Sequence, residues 1–122
     1  MVSTISGSMG SGVPAGVASS LRHPDRQIIV FVGDGGFMMT GAELATACQY
    51  GASIKIVVSD NSSYGTIRLH QEIQYPGRIS GTQLMNPDFE KPGHAYGITS
   101  YVIEHSNDVK SVLDRASQTQ PK

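Results

Sequence analysis

The sequence contains one cysteine, no tryptophan and no excess of charge of either sign. The single thiol, Cys48, cannot form an intrachain disulfide, and no Cys/His cluster with zinc spacing accompanies it. The formal net charge is −1 without any block of like charges, so there is no electrostatic case for binding nucleic acid or an anionic membrane. A reducing cytoplasm is compatible with these features and is the expected location, with Cys48 as a small buried core residue.

Long apolar runs are also missing. The runs at residues 28–32 and 54–58 are about five residues long, whereas a membrane-spanning helix needs about twenty. The first residues carry neither the basic region nor the long apolar region of a secretory signal. The 122 residues suit one domain with a modest core. We therefore expect a single domain without a membrane span or a signal peptide.

What the chain does contain is an alternation of helical and strand-like segments. Continuous apolar, β-branched runs at residues 27–32 and 53–59 are typical of strands covered on both faces, as in a parallel sheet. A third strand is predicted at residues 99–103. Helices are predicted at residues 14–21, from Thr40 to about Tyr50, and from Ser106 or Asn107 to about Ala116. This order predicts an α/β domain of three layers, α/β/α, with a mostly parallel sheet.

Short signals predict where helices begin, end and break. Thr40, with Glu43 three residues later, forms a capping-box pattern, and Gly51 suits the position that ends the same helix. The region after residue 65 is rich in turn signals and is predicted to be irregular. Lys91-Pro92-Gly93 is predicted to break any helix that runs through it.

Two polar turns follow the first two predicted strands. In Gly33-Asp34-Gly35-Gly36, glycines allow close approach to a ligand, and backbone N–H groups before a helix attract anions. The carboxylate of Asp34 repels a bare phosphate, but a divalent cation that bridges the two resolves the conflict. The second turn, residues 60–65, offers the side-chain oxygen of Asn61 and the carbonyl of Ser63. Because ligands bind beyond the carboxyl ends of parallel strands, both turns are predicted to share one Mg²⁺ or Ca²⁺ site.

Each turn has other interpretations. Either one alone is typical of an ordinary tight turn. Together they are also compatible with a Rossmann-type dinucleotide site, in which Gly33 and Gly35 follow a strand and Asp60 binds a ribose. In that case Met38 stands at the third glycine position, and Asp34 faces the pyrophosphate without a metal. The dinucleotide site stays open as the alternative.

The spacing of the two turns resembles a known cofactor signature. Gly33-Asp34-Gly35, then 24 residues, then Asp60-Asn61 is similar to the GDG…NN motif of thiamine-diphosphate (ThDP) enzymes. Further similar segments are Gly7-Ser8-Met9-Gly10, Val13-Pro14-Ala15, His23-Pro24-Asp25-Arg26, Glu43-Leu44-Ala45-Thr46-Ala47, Tyr64-Gly65-Thr66-Ile67-Arg68 and Asn86-Pro87-Asp88-Phe89. Over nearly its whole length the chain resembles the C-terminal, diphosphate-binding (PP) domain of the acetolactate synthase and benzoylformate decarboxylase group.

This resemblance implies a role for each matching residue. Asp34 and Asn61 are implied to ligate Mg²⁺ through their side chains, and Ser63 through its carbonyl. Gly7 and Met9 are implied to contact the aminopyrimidine ring, with the Met9 side chain holding the cofactor bent. The implied cofactor-binding set is Gly7, Met9, Gly33, Asp34, Gly35, Gly36, Asn61, Ser63, Tyr64 and Gly65. Of these, Gly35 and Gly36 are implied to donate N–H groups to the diphosphate.

The resemblance also implies what surrounds the chain. Residues 1–122 are expected to form a single domain, truncated at both ends, of a homo-oligomeric 2-oxo-acid decarboxylase or carboligase. The glutamate that activates ThDP belongs to a pyrimidine-binding domain, in the same or another chain, and nothing here resembles that domain. The chain is therefore expected to carry no catalytic residue and to be inactive alone. A catalytically inactive remnant or interaction module is a further alternative.

Three positions depart from the family pattern. Asp60 stands where the pattern has the first asparagine of the pair, but metal binding is expected to survive because the implied ligand is the second position, Asn61. Thr66 and His70 fall where acetolactate synthases tend to carry Met and Trp near the substrate entrance. These two residues weaken the case for acetolactate synthesis proper.

Overall fold

Two parallel strands form the centre of the fold, and they are the two that the apolar runs predict. A computed structural model of the chain describes residues 6–119. Strand β1 (Ile28–Gly33) pairs with β2 (Ile54–Ser59) from Ile28 opposite Ile54 to Gly33 opposite Ser59. The α/β class and the parallel pairing are therefore confirmed.

Helices and short turns make up the other regular elements of the described residues. They are α1 (Gly12–Arg22), α2 (Asp34–Thr40), α3 (Leu44–Gln49), α4 (Gly65–Gln74), α5 (Glu90–Ala95) and α6 (Val109–Gln118), with short 3₁₀ turns at Gly41–Glu43 and Ser106–Asp108. Within residues 6–119, no helix combines the length and the hydropathy that crossing a membrane requires.

The core lies between one face of the sheet and the helices α1, α2 and α3. Val13 of α1, Phe37 of α2 and Leu44 of α3 are buried together. Partly buried residues of the sheet pack against them, among them Val32 and Val58, which are paired across the two strands. Helix α1 packs on β1, and α2 starts directly where β1 ends. The buried face therefore fixes the position of the carboxyl end of β1.

The opposite face of the sheet is less covered. Side chains alternate between faces along a strand, so Ile29, Phe31 and Lys55 point away from the core described above. Lys55 donates hydrogen bonds to the backbone carbonyls of Ala116, at 2.6 Å, and Thr119, at 3.3 Å. These bonds bring the end of α6 to this side of the sheet. On β1, however, Phe31 remains 79% exposed and Ile29 53% exposed.

The predicted third strand is wrong. Residues 99–103 pair with no strand in the described part of the chain, where the sheet consists of β1 and β2 alone. The segment is held by side chains instead: the Tyr101 hydroxyl lies 3.2 Å from Thr119 Oγ1, and Arg115 stacks over the Tyr101 ring at 4.7 Å. An apolar, β-branched sequence suits a strand, but it does not supply a neighbouring backbone with which to pair.

The expected irregular region after residue 65 is wrong for its first part, where α4 lies, and confirmed for residues 75–89, which contain no helix or strand. The apolar residues of α4, Ile67, Leu69 and Ile73, are all exposed, so no buried stripe marks this helix. The turn that follows it is fixed by Gln71, whose side chain donates to the Ser80 carbonyl and accepts from the Ser80 N–H, both at 3.0 Å.

Pro92 and Gly93 do not break a helix, contrary to the prediction. Both lie inside α5, where Pro92 is the third residue. The first N–H groups of a helix have no partner within it, so a proline in the first turn costs no hydrogen bond. Gly93 packs tightly, because a Cβ at this position would overlap the Ser100 hydroxyl.

Of the two details predicted around the second helix, the ending at Gly51 is confirmed and the capping box is wrong. Gly51 adopts φ +62° after α3, as predicted. The capping box is wrong, because helix α2 already begins at Asp34. The Thr40 hydroxyl donates to the carbonyl of Gly10 at 2.6 Å, and the Glu43 carboxylate accepts from the Thr46 hydroxyl at 2.8 Å.

Cys48 is exposed rather than buried. Its neighbours along α3 explain the difference, because Leu44 and Ala47 take the two core positions of this short helix. The thiol lies on the outer side, where Sγ is 3.5 Å from the carbonyl of Tyr96.

Candidate functional site

The first site loop is the junction of β1 and α2. Gly33 ends the strand with an extended backbone, and Asp34 is the first residue of the helix. The side chain of Asp34 is 2% exposed, and its Oδ1 accepts the N–H of Gly35 at 2.8 Å. A carboxylate is thus held at the carboxyl end of a central strand, as the sequence predicts.

The second loop is ordered by its own side chains. Asp60 Oδ1 accepts the N–H of Ser62 at 2.9 Å, and Asn61 Oδ1 accepts the N–H of Ser63 at 3.0 Å. These consecutive side-chain-to-backbone turns are typical of Asp and Asn. Ser62 is left in the left-handed region at φ +52°, so the loop has a defined shape rather than an extended path.

A third segment, residues 82–86, lies alongside this loop. The N–H of Tyr64 and the hydroxyl of Ser63 both donate to the carbonyl of Thr82, at 2.8 and 3.1 Å. In return, the N–H of Leu84 donates to the carbonyl of Ser62 at 2.9 Å. This short antiparallel pairing fixes the second loop from outside the sheet.

Side chains join the first and second loops. A Cβ on Gly35 would lie 2.5 Å from the ring of Tyr64, so the ring packs directly on this glycine. The Asn61 amide nitrogen lies beside Gly65, where a Cβ would approach it to 3.1 Å. The backbone of Asn61 also lies close enough to the Asp34 carboxylate to lower its pKa. The structure therefore brings Gly35 and Tyr64, one predicted residue from each loop, into contact.

The electrostatics of Asp34 favour its ionised form. Burial alone raises the pKa of this carboxyl, but hydrogen bonds outweigh burial and leave the pKa below its ordinary value. The donors are the Asn86 side chain and the Gly35 N–H, and the nearby backbone of Asn61 and Ser62 lowers the pKa further. A carboxylate that is charged at neutral pH and faces the end of the sheet is the group that a divalent cation needs.

This lowered pKa predicts how stability depends on pH. Because the folded-state pKa of Asp34 lies below the ordinary value of 3.8, its ionised form stabilises the fold above that value, and the contribution is lost as pH falls through the folded-state pKa. In metal-free buffer, the stability advantage of the wild-type chain over Asp34→Asn should be full at pH 6–7 and should shrink below about pH 4. Urea unfolding followed by circular dichroism measures it, and an advantage that stays constant down to pH 2 would contradict the assignment.

The glycine-rich loop before α1 lies beside the first site loop. Gly10 is buried at φ +81°, and its carbonyl is bonded to Thr40 at the end of α2. Gly36 faces Gly10, since a Cβ on Gly36 would lie 3.8 Å from the Gly10 nitrogen. Gly7, at φ +64°, and Met9 are exposed. Their contacts with an aminopyrimidine ring stay predictions.

The donor set fits a magnesium ion that carries a diphosphate. It combines one buried carboxylate, one amide oxygen and one backbone carbonyl, from Asp34, Asn61 and Ser63. Mg²⁺ prefers such oxygens and typically uses one or two carboxylates together with phosphates and water. The Asn61 oxygen and the Ser63 carbonyl each accept one hydrogen bond, from the N–H groups of Ser63 and Gly65, which leaves each a second lone pair.

Sequence reasoning assigned no role to one residue of this site, Asn86. Its side-chain nitrogen donates to Asp34 Oδ2 at 2.7 Å and to Asp60 Oδ1 at 2.8 Å. The local sequence Asn86-Pro87-Asp88 indicates only a turn, and these contacts span 52 and 26 residues of the chain. The one signal in the sequence was that the segment is similar to the family pattern.

These features define an α/β domain whose paired loops suit a phosphate-bearing cofactor, and comparison with known proteins identifies the family. Residues 1–122 match the family described as thiamine pyrophosphate enzyme, C-terminal TPP binding domain. The chain belongs to this family. The expected ThDP class is confirmed, and the dinucleotide alternative has no comparable support.

Relatives are similar along almost the whole chain. The acetolactate synthase large subunit of Lactococcus lactis subsp. lactis is 38% identical over 116 residues, which are 94% of this chain and 20% of that protein. The corresponding subunit of Haemophilus influenzae is 35% identical over 111 residues, 90% of this chain and 19% of that protein. The thiamine diphosphate-dependent 4-hydroxybenzoylformate decarboxylase of Rhodococcus jostii RHA1 superposes with a TM-score of 0.87 at 29% identity, over 95% of this chain and 22% of that one. The chain thus spans about a fifth of the length of these relatives.

Proposed function

We propose that the chain binds the diphosphate of ThDP through Mg²⁺, as the PP domain of a 2-oxo-acid decarboxylase or carboligase. The observation that carries this proposal is the Asp34 carboxylate, which is buried at the end of β1 and linked through the Asn86 amide to the loop that carries Asn61. Asp34, Asn61 and Ser63 hold the metal. Backbone N–H groups of Gly35 and Gly36 bind the diphosphate, because the first turn of α2 leaves such groups without helical partners.

Each residue has a positioning task. The Tyr64 ring on Gly35 fixes the distance between the two loops, and the absence of a side chain at Gly35 makes room for this ring. Gly7 and Met9 lie in the loop whose Gly10 is bonded to α2, and this position supports the proposal that they contact the pyrimidine end of the cofactor. Bound ThDP supplies the electron sink for cleavage of a 2-oxo acid next to its carbonyl.

A pyrimidine-binding domain is the proposed partner, in the same chain or another, and supplies the activating glutamate. Large apolar side chains near the site support a covering protein surface: Met85 is 98% exposed, Met39 52% and Met38 50%. Methionines are frequent in adaptable contact surfaces. The complete enzyme is proposed to be a cytoplasmic homo-oligomer, and this chain alone is proposed to lack activity because the activating glutamate is proposed to belong to the pyrimidine-binding domain.

Calorimetry of the 122-residue chain tests the binding proposal. ThDP is titrated with Mg²⁺ and with EDTA, inorganic pyrophosphate with Mg²⁺ serves as a probe of the diphosphate part, and NAD with EDTA probes the dinucleotide alternative. We expect saturable heat for ThDP and pyrophosphate only with Mg²⁺, and none for NAD. The absence of Mg²⁺-dependent heat for both diphosphate probes would overturn the proposal.

A further inference from the structure

Asn86 is held against both site loops by contacts on either side of it. Before it, residues 82–84 pair with the backbone of residues 62–64. After it, the ring of Phe89 packs edge-on against Phe37 of α2, with centroids 5.5 Å apart and an interplanar angle of 88°. The position of Asn86 is therefore set by the second loop and by the helix that carries Asp34.

The orientation of its amide is decided by chemistry. The nitrogen lies between Asp34 Oδ2 and Asp60 Oδ1, and ionised carboxylates only accept hydrogen bonds. Turning the amide over would place its oxygen against both of them. In the orientation present, Asn86 Oδ1 is buried without a hydrogen-bond partner. A buried acceptor without a donor is unfavourable. The two strong hydrogen bonds that the nitrogen donates therefore outweigh the hydrogen bond that the oxygen lacks.

Asp60 explains why such a bridge is needed. This chain has a carboxylate where the family pattern has an amide, so two like charges lie one amide group apart at the metal loops. Without a donor between them they would repel each other, and Asp34 would be displaced or would rotate. Hydrogen bonds from a neutral donor to charged acceptors are charge-assisted, and they are stronger than hydrogen bonds between neutral groups.

We propose that Asn86 is a positioning residue for the metal–diphosphate site, because its amide holds the carboxylates of Asp34 and Asp60 in a fixed arrangement. This inference rests on the proposed function, since the arrangement matters for binding only if Asp34 ligates the metal. Asn86 itself does not ligate the metal. Like other groups that hydrogen-bond to a metal ligand, it orients that ligand before the ion binds.

The test measures the Mg²⁺ concentration that half-saturates ThDP binding to the 122-residue chain, by calorimetry well below the unfolding temperature of each variant. Asn86→Ala should raise it about 10- to 100-fold, the usual effect of losing such a partner. In the double variant Asn86→Ala/Asp60→Asn the value should return close to that of the wild type, because the repelling charge is gone while asparagine can still accept the Ser62 N–H. Asp60→Asn alone should change little. Asn107→Ala, the same change at an exposed asparagine in the Ser106–Asp108 turn, is the matched control.

The outcomes separate the two proposals. Binding by the wild type with no effect of Asn86→Ala overturns the role of Asn86 and leaves the proposed function intact. An equal loss in Asn86→Ala and in the double variant also overturns it, since a general structural defect is not repaired by removing one charge. Rescue by Asp60→Asn supports it. No Mg²⁺-dependent binding by the wild type overturns the proposed function and this inference with it.

Discussion

Replacing Asp34 by alanine is expected to abolish Mg²⁺-dependent binding of ThDP. Asp34 is the only charged group among the three proposed ligands, so without it the ion is held by two neutral oxygens, from Asn61 and Ser63. The loss should exceed the roughly 10- to 100-fold that removal of a hydrogen-bond partner of a metal ligand typically costs. Isothermal calorimetry with ThDP and excess Mg²⁺ measures it.

Two further variants show whether the loss is specific. Asp34→Asn keeps the size of the side chain and one oxygen but removes the charge, and it should lose most of the binding as well. Asp25→Ala removes the same charge from the exposed turn before β1, at the opposite end of that strand, and should bind like the wild type. Circular dichroism at the titration temperature checks that each variant is folded. Unchanged affinity in folded Asp34→Ala would show that the cation is held elsewhere.

The parts of the fold that were predicted correctly are those whose signals are local. The runs that form β1 and β2 are continuous, β-branched and bounded by polar turns, which is typical of parallel strands, although Ile29 and Phe31 leave one face of β1 more exposed than such a run predicts. The two site loops follow from the ends of these strands, because parallel strands present their carboxyl ends at one edge. Helix α1 and the left-handed Gly51 also carry local signals.

The parts that were predicted wrongly depend on what a segment meets in three dimensions. Residues 99–103 have the composition of a strand, but pairing requires a neighbour that composition does not reveal. Helix α4 buries none of its residues, so no contact with a core marks this segment as a helix. A proline breaks a helix at an interior position but is tolerated in the first turn. Whether Pro92 breaks the helix therefore depends on where α5 begins. The role of Asn86 depends on two carboxylates that lie far away in the chain.

Gly16→Ala should destabilise the fold, although alanine is a better helix former than glycine. Gly16 is buried in α1, and a Cβ there would overlap Cγ2 of Val30, a buried residue of β1. Valine has few alternative rotamers, so the helix or the strand must move. Overpacking of this kind typically costs about 1–3 kcal/mol, against a gain in helix propensity of up to about 1 kcal/mol. Urea unfolding should therefore show a net loss of unfolding free energy.

Gly12→Ala is the matched control, because Gly12 belongs to the same helix and faces the same strand. A Cβ at Gly12 would make only ordinary contacts, the nearest being 3.5 Å from Val32, so this variant should be neutral or slightly more stable. Gly16→Ala should also lose less stability when Val30 is already alanine, since the overlapping methyl group is then absent. Equal effects of Gly12→Ala and Gly16→Ala would show that α1 does not rest closely on β1. Because Asp34 directly follows the last residue of β1, the packing of α1 on this strand also sets the position of the proposed metal ligand.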